Sequence, residues 1–264
     1  MAAEALLLVE EGRMPASFSS VPARILRSKD DISAAALSGR RKVLWVAFSG
    51  ERLSALAGSR ARWGGDRRLL LLDKAGKDRL SFLRAFFRVI LSADQDVHLL
   101  PLDELADVLG DSRRADFLIG GVVDESDGVL VLYRGDLEPL AVPMDWFQPT
   151  GIGTRPDFGA LEFRDYGLTV GLGPYEASSD AILYEFNERY RRRARARSLD
   201  DDESFGGSVR RLRVLKGLGR DDFPGLSART VARIERGETE KPHGRSLEVV
   251  CRTLGVTAEE IATY

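Results

Sequence analysis

The stretch Gly225-Leu226-Ser227-Ala228-Arg229-Thr230-Val231-Ala232-Arg233-Ile234-Glu235-Arg236-Gly237 decides how the last quarter of the chain is read. Ser227 is suited to a helix N-cap, because its hydroxyl can accept a hydrogen bond from an unpaired first-turn N–H. Gly237 is suited to the position just past the helix end, where positive φ is needed. Two and a half turns fit between them. Val231 and Ile234, three apart, point to one side, and Arg229, Ala232, Arg233 and Arg236 are expected on the other. A short helix with an apolar anchor and an arginine-rich outer face has the shape and charge for a major groove. An ordinary surface helix with solvated arginines has the same pattern, so the surrounding sequence has to decide.

Working outward, Val209, Leu212, Val214, Leu215 and Leu218 mark a helix before this stretch, with Gly217 near its end. Ser246 is expected to cap a helix after it, with Leu247, Val250, Cys251 and Leu254 on the apolar face and Gly255 as terminator. Thr257-Ala258-Glu259-Glu260 has the spacing of a capping box. Short helices with brief connections predict a compact helical bundle over residues 204–264.

Taken together, Val209-Arg210-Arg211-Leu212-Arg213, Gly217-Leu218, Gly225 through Gly237 and Leu254-Gly255-Val256 resemble the Cro/C1-type (XRE-type) helix-turn-helix family. The Ser-x-x-Thr-Val-x-x-Ile-Glu-x-Gly core carries most of the resemblance, which covers about the last quarter of the chain. It implies a third helix that reads double-stranded DNA. By position, it implies base contacts from Ala228, Arg229 and Arg233 beside the capping Ser227. Backbone contacts are implied for Thr230, Arg236 and Lys241, and a phosphate contact for Arg220. The chain departs from the family between Leu218 and Ser227. Gly219–Gly225 is short, and Pro224 stops a helix early, so a second helix of about one turn is expected.

Before this bundle lies a long helix opened by Ser178-Ser179-Asp180, with Ile182, Phe186 and Tyr190 on one edge. It runs into Arg189, Arg191, Arg192, Arg193, Arg195 and Arg197, then Asp200-Asp201-Asp202-Glu203. Such a run suits a solvated helix end or a phosphate-contacting arm.

Residues 101–175 predict a mainly antiparallel sheet. A short helix (Leu102, Leu105, Val108, Leu109) precedes strands at 117–123, 129–133, 137–142, 160–163 and 168–172. Their turns are Ser126-Asp127-Gly128, Arg134-Gly135-Asp136 and Asp165-Tyr166-Gly167, each expected to supply positive φ. Pro143–Phe147 is expected to turn with Trp146 packed on the sheet. Several of these segments, with Tyr175-Glu176-Ala177 and Tyr184-Glu185-Phe186, resemble a bacterial domain-of-unknown-function module that accompanies this type of helix-turn-helix. That resemblance implies an architecture and no activity.

The first 95 residues read as a small α/β unit. Pro15, Pro22 and Ser17–Ser20 suggest a loosely ordered start. Val43–Phe48 is a continuous apolar run, expected as a buried strand. Leu53, Leu56 and Ala57 follow at helical spacing, and Leu69–Leu72 forms a second buried run. Leu80, Leu83, Phe87 and Ile90 predict a helix, and Val97–Leu100 a third strand. The fold class expected is therefore multidomain α+β. A small α/β domain (1–95) precedes an α+β domain ending in a long basic helix (100–198) and a helix-turn-helix domain (204–264).

Composition narrows the function classes. The net charge of −2 hides segregation: +8 over residues 1–93, −13 over 94–180 and +3 over 181–264. Nucleic acid would be repelled by the acidic middle and must meet the basic ends. No apolar run is long enough to span a bilayer, so no membrane partner is expected. Glu4, Glu10 and Glu11 interrupt the apolar start and no basic region precedes it, so no signal peptide is expected and the reading is cytoplasmic. The single Cys251 is read as a buried thiol.

Catalytic and cofactor signals are weak. His98 and His243 lack partners at metal-ligand spacing. Gly151-Ile152-Gly153 and Gly171-Leu172-Gly173 read as turns, since they lack a phosphate-binding context. Ser49-Gly50 lacks the flanking glycine of a nucleophile elbow. Asp124, Glu125 and Asp127 lack calcium-loop spacing. No metal, cofactor or enzymatic role is expected. The sequence favours a DNA-binding transcriptional regulator, expected as a homodimer. An antitoxin-like protein-interaction adaptor is one alternative, and an enzyme or ligand sensor in residues 1–95 is another.

Overall fold

A computed structural model describes residues 5–9, 14–37, 42–58, 66–93, 96–148, 154–238 and 242–262. The chain forms two compact units, residues 1–188 and 189–264.

The first unit begins with β1 (Ala5–Val9), β2 (Arg24–Leu26), α1 (Lys29–Leu37), β3 (Lys42–Ala47), β4 (Asp66–Leu71), α2 (Lys77–Leu83) and β5 (Val89–Ser92). The five strands pair in parallel in the order β2-β1-β3-β4-β5. Leu7, Val9, Val43, Trp45, Ala47, Leu69 and Leu71 form one core face with Ile32, Leu53, Leu56, Leu83 and Phe87. Leu8, Leu44, Val46 and Leu70, which alternate with them, are also buried. Burial on both faces is why the strands read as unbroken apolar runs.

Three expectations fail in this region. The described residues of the start are not loose: Leu6–Val9 lies in an inner strand of the sheet, and Phe18 is buried in a 3-10 turn at Ala16–Ser20. The helix expected to run through Ile90 stops at Leu83, and Ile90 pairs with Leu69 in β5. Leu83 and Phe87 both face the core, so the sequence spacing continued across a change of structure. Arg52–Gly58 is a 3-10 turn.

The chain continues through β6 (Val97–Leu99), α3 (Leu102–Gly110), β7 (Leu118–Asp124), β8 (Val129–Arg134) and β9 (Pro139–Pro143). These strands make an antiparallel sheet in chain order. β6, expected as a third strand of the small α/β unit, therefore belongs here. β10 (Leu161–Arg164), β11 (Thr169–Leu172) and β12 (Tyr175–Ser178) form a second antiparallel sheet, of which β12 was not foreseen. α4 (Ser179–Phe186) follows, capped by Ser178.

The β7–β8 hairpin turns as expected, with Gly128 at φ +63°. Asp124 accepts there from Ser126 N, Ser126 Oγ and Asp127 N. These bonds, the Ser126 hydroxyl first, hold its carboxyl below the usual range and identify a turn-forming aspartate. The Asp165–Gly167 turn has positive φ at all three residues. At Arg134–Asp136 the positive φ falls instead on Leu137. Trp146 lies in a 3-10 turn, its ring edge-on to Phe147 and Phe186. Gly171 lies in β11 and Gly173 turns with φ +62°, while Gly151–Gly153 falls outside the described residues.

A buried arginine ties the two kinds of sheet in this unit. Arg68 of β4 is 1% exposed. Its Nε and Nη2 donate to Asp66 at 3.0 and 2.6 Å, Nη1 to the Asp136 carbonyl, and Nη2 also to Glu138. Arg134 donates to Asp136 at 2.9 Å. The β8–β9 turn is thereby docked on the parallel sheet by charge-assisted bonds, the stronger class of hydrogen bond.

Candidate nucleic-acid interface

The second unit contains α5 (Glu188–Asp200) from Arg189 onward, α6 (Phe205–Leu215), α7 (Ala228–Glu235), α8 (Arg245–Leu254) and α9 (Ala258–Ala262). The single long helix expected before the bundle is broken at Asn187, whose backbone is extended (φ −120°, ψ 100°). Arg193 and Arg197 of α5 lie over the Tyr190 ring at 5.8 and 5.6 Å.

α6 is capped by Ser204, which accepts from Gly207 N at 3.1 Å. Val209, Leu212, Phe223, Val231, Ile234, Val250, Leu254 and Ile261 form the core. Val214 and Leu215, expected on the apolar face of α6, are instead 60% and 69% exposed. Between α6 and α7 the second helix is a 3-10 turn at Arg220–Asp222, as short as Pro224 predicts. Ser246 does not cap α8: the helix starts at Arg245, behind Gly244, so Ser246 lies within its first turn. Thr257 and Glu260 exchange both bonds of the capping box, at 2.7 and 3.2 Å. Cys251 is half-buried, where a buried thiol was expected.

α6 and α7 meet closely. A Cβ on Gly206 would lie 2.2 Å from the Ile234 carbonyl oxygen, a backbone atom that cannot swing away. Gly206→Ala is therefore expected to destabilise this unit by about 2 kcal/mol, through forced separation of the helices. Chemical denaturation followed by far-UV circular dichroism checks this; an unchanged midpoint would contradict it.

α7 begins as the sequence predicts. Ser227 Oγ accepts from Thr230 N at 3.1 Å, and the two hydroxyls share a bond at 2.9 Å. It ends at Gly237, φ +67°. There Gly237 N donates to the Ile234 carbonyl and Glu238 N to the Arg233 carbonyl, at 3.0 and 3.1 Å. These are the two bonds of a Schellman turn.

The residues expected to meet DNA do not share one environment. Arg229, Arg233 and Arg236 are exposed on the outer face of α7, and Ser227 is exposed at its start. Ala228 and Thr230 are half-buried on the same turn. Arg220 is engaged but stays 44% exposed: its Nε donates to Glu235 at 2.8 Å. Lys241 lies outside the described residues. Ala232, expected on the outer face, is buried.

Two acidic residues shape this surface, and neither received a role from sequence. Glu235 is 2% exposed. It accepts from Arg213 Nε at 2.5 Å and from Arg220 Nε at 2.8 Å, so it locks α6, the short turn and α7 together. Its signal was positional: it stands four residues after the core residue Val231, on the same face. Glu235→Gln should cost this unit about 2 kcal/mol, since the two arginines lose a shared partner. A thermal melt of this variant against wild type measures it, and an unshifted melt would refute the role. Glu238 is exposed and bonds both Arg236 and Arg233, which hold its carboxyl below the usual range.

Parallel sheets of the order seen here hold ligands at the carboxyl ends of the strands where the order reverses, between β1 and β3. Phe48, just past β3, carries the Phe18 ring edge-on at 4.9 Å. Among the described residues no group of three or more His, Cys, Asp or Glu is placed to hold a metal ion. No described helix is long and apolar enough to cross a membrane.

Comparison of the chain with protein-family models, with curated proteins and with solved structures finds no match.

Proposed function

We propose that this protein is a DNA-binding transcriptional regulator that reads the major groove with α7. One observation carries the reading. A capped helix, whose diameter of about 10–12 Å with side chains suits the major groove, anchors Val231 and Ile234 in a core while Arg229 and Arg233 project outward. The resemblance of this stretch to Cro/C1-type helix-turn-helix proteins supports the same reading. A homodimer on a two-fold site is part of it, because one such helix reads only a half-site. A cleft of about 410 Å³ lined by Arg84, Arg88, Val97 and Tyr133 in the first unit offers that unit a ligand-sensing role. No catalytic role is proposed.

Fluorescence-anisotropy titration of a labelled duplex at low salt tests the reading. Binding should weaken as salt rises, with a slope set by the phosphates neutralised. Salt-independent or absent binding would defeat it. A second reading, a protein-interaction adaptor, is favoured by the adjacent exposed side chains of Val214 and Leu215. Co-purification of a stoichiometric partner with no duplex binding would favour it over the first.

A further inference from the structure

The Schellman turn that ends α7 also fixes the residue after it. Glu238 is tied through its N–H to the Arg233 carbonyl, so its side chain is set beside the last turn of the helix. Its carboxylate bridges two guanidinium groups. Oε2 accepts from Arg233 Nε at 2.9 Å. Oε1 accepts from Arg236 Nε at 2.7 Å and lies 2.6 Å from Arg236 Nη2.

The two arginines are held by different edges. Arg236 is taken side-on, through Nε and Nη2. Arg233 is taken through Nε alone, and its Nη1 and Nη2 have no partner among the described residues. Arg233 is also 57% exposed. Those two nitrogens form the fork that pairs end-on with O6 and N7 of guanine. A long exposed arginine otherwise samples many rotamers and loses that freedom on binding. A carboxylate on Nε restricts it beforehand and leaves the reading edge open.

We propose that Glu238 is a positioning residue that presents the Arg233 fork to guanine, so that the duplex taken by this face carries a guanine where Arg233 reaches the groove. The inference rests on α7 being the reading helix. It gives Glu238 two opposed effects. Its negative charge weakens binding to every duplex through phosphate repulsion, and its bond to Arg233 sharpens the preference for one base.

The test starts with the full chain and a library of random duplexes. Enriched duplexes are sequenced, and every base substitution in them is measured by anisotropy with wild type, Glu238→Gln and Arg233→Lys. Thermal melts confirm that the variants are folded. Wild type should prefer guanine at one position of each half-site. Arg233→Lys keeps the charge but lacks the fork, and should lose that preference, about 5- to 150-fold for a bidentate pair. Glu238→Gln should bind unrelated duplexes more tightly, yet lose about 2- to 12-fold of the guanine preference, the worth of one hydrogen bond. A structural role for Glu238 would leave the base preference unmoved.

An undiminished guanine preference in Glu238→Gln overturns the inference and leaves the reading of α7 intact. A guanine preference that survives Arg233→Lys does the same. If wild type enriches no duplex, the reading of α7 fails and the inference falls with it.

Discussion

Arg68→Met is expected to lower the stability of the first unit by about 3 kcal/mol, the usual cost of removing one side of a buried ion pair. Methionine fills a similar volume, so the loss reports charge and hydrogen bonds more than a cavity. Asp66, Asp136 and Glu138 all lie against the Arg68 guanidinium, and its Nη1 also binds the Asp136 carbonyl. Some compensation remains, because Arg134 still reaches Asp136 and Arg88 still reaches Asp66. Urea unfolding monitored by tryptophan fluorescence measures the change. A loss below about 1 kcal/mol would mean that desolvation of the arginine nearly cancels its pairing.

The same cluster fixes a pH dependence. Burial raises the pKa of Asp66, but the Arg68 hydrogen bond and the nearby positive charges outweigh it and leave the value lowered. Folded Asp66 therefore binds its proton less readily than unfolded Asp66. Its contribution is complete above the unfolded pKa, about 3.9, and is lost as pH falls through the lower folded value. Wild type should lose stability in that acid range, and Arg68→Met should lose less.

Arg229→Ala combined with Arg233→Ala is expected to weaken duplex binding by about 100-fold, if each arginine contributes a modest share of the energy of a base or phosphate contact. The slope of log affinity against log salt should fall by up to about two where both arginines neutralise phosphates. The two arginines differ in how they are held. Arg229 is exposed on the first turn of α7 and engages no hydrogen bond or ion pair among the described residues. Arg233 must share its guanidinium with Glu238. Unchanged affinity in the double variant would remove α7 from the interface. The variants should melt as wild type does, because neither side chain enters the core.

What could be read from sequence was local. The cap at Ser227, the stop at Gly237 and the anchors Val231 and Ile234 all lie within one stretch, and all are present. The buried runs at 43–48 and 69–72 correspond to β3 and β4 because burial on both faces needs no partner to be recognised. What escaped depended on distant residues. β1 is four leucines and valines between glutamates, and only β2 and β3 beside it make it an inner strand. β6 joins the antiparallel sheet because β7 pairs with it, a choice its own three residues do not encode. The candidate interface was legible as a face but not as a set of engaged groups. Arg220 is tied at its Nε because Glu235, fifteen positions later, is there to accept it.

The Arg68 cluster also sets an order of events during synthesis. β4 and β5 are complete when Ser92 has been made, but the groups that neutralise Arg68 from outside its strand lie 68 and 70 residues beyond it. At about 5 to 20 residues per second, the arginine waits roughly 4 to 14 s for Asp136 and Glu138. During that interval Asp66 is its carboxylate partner within the parallel sheet. A nascent chain halted before residue 136 should therefore hold this end of the sheet only weakly and be cut there by protease. A chain halted well past residue 143, with β8 and β9 clear of the ribosome, should resist.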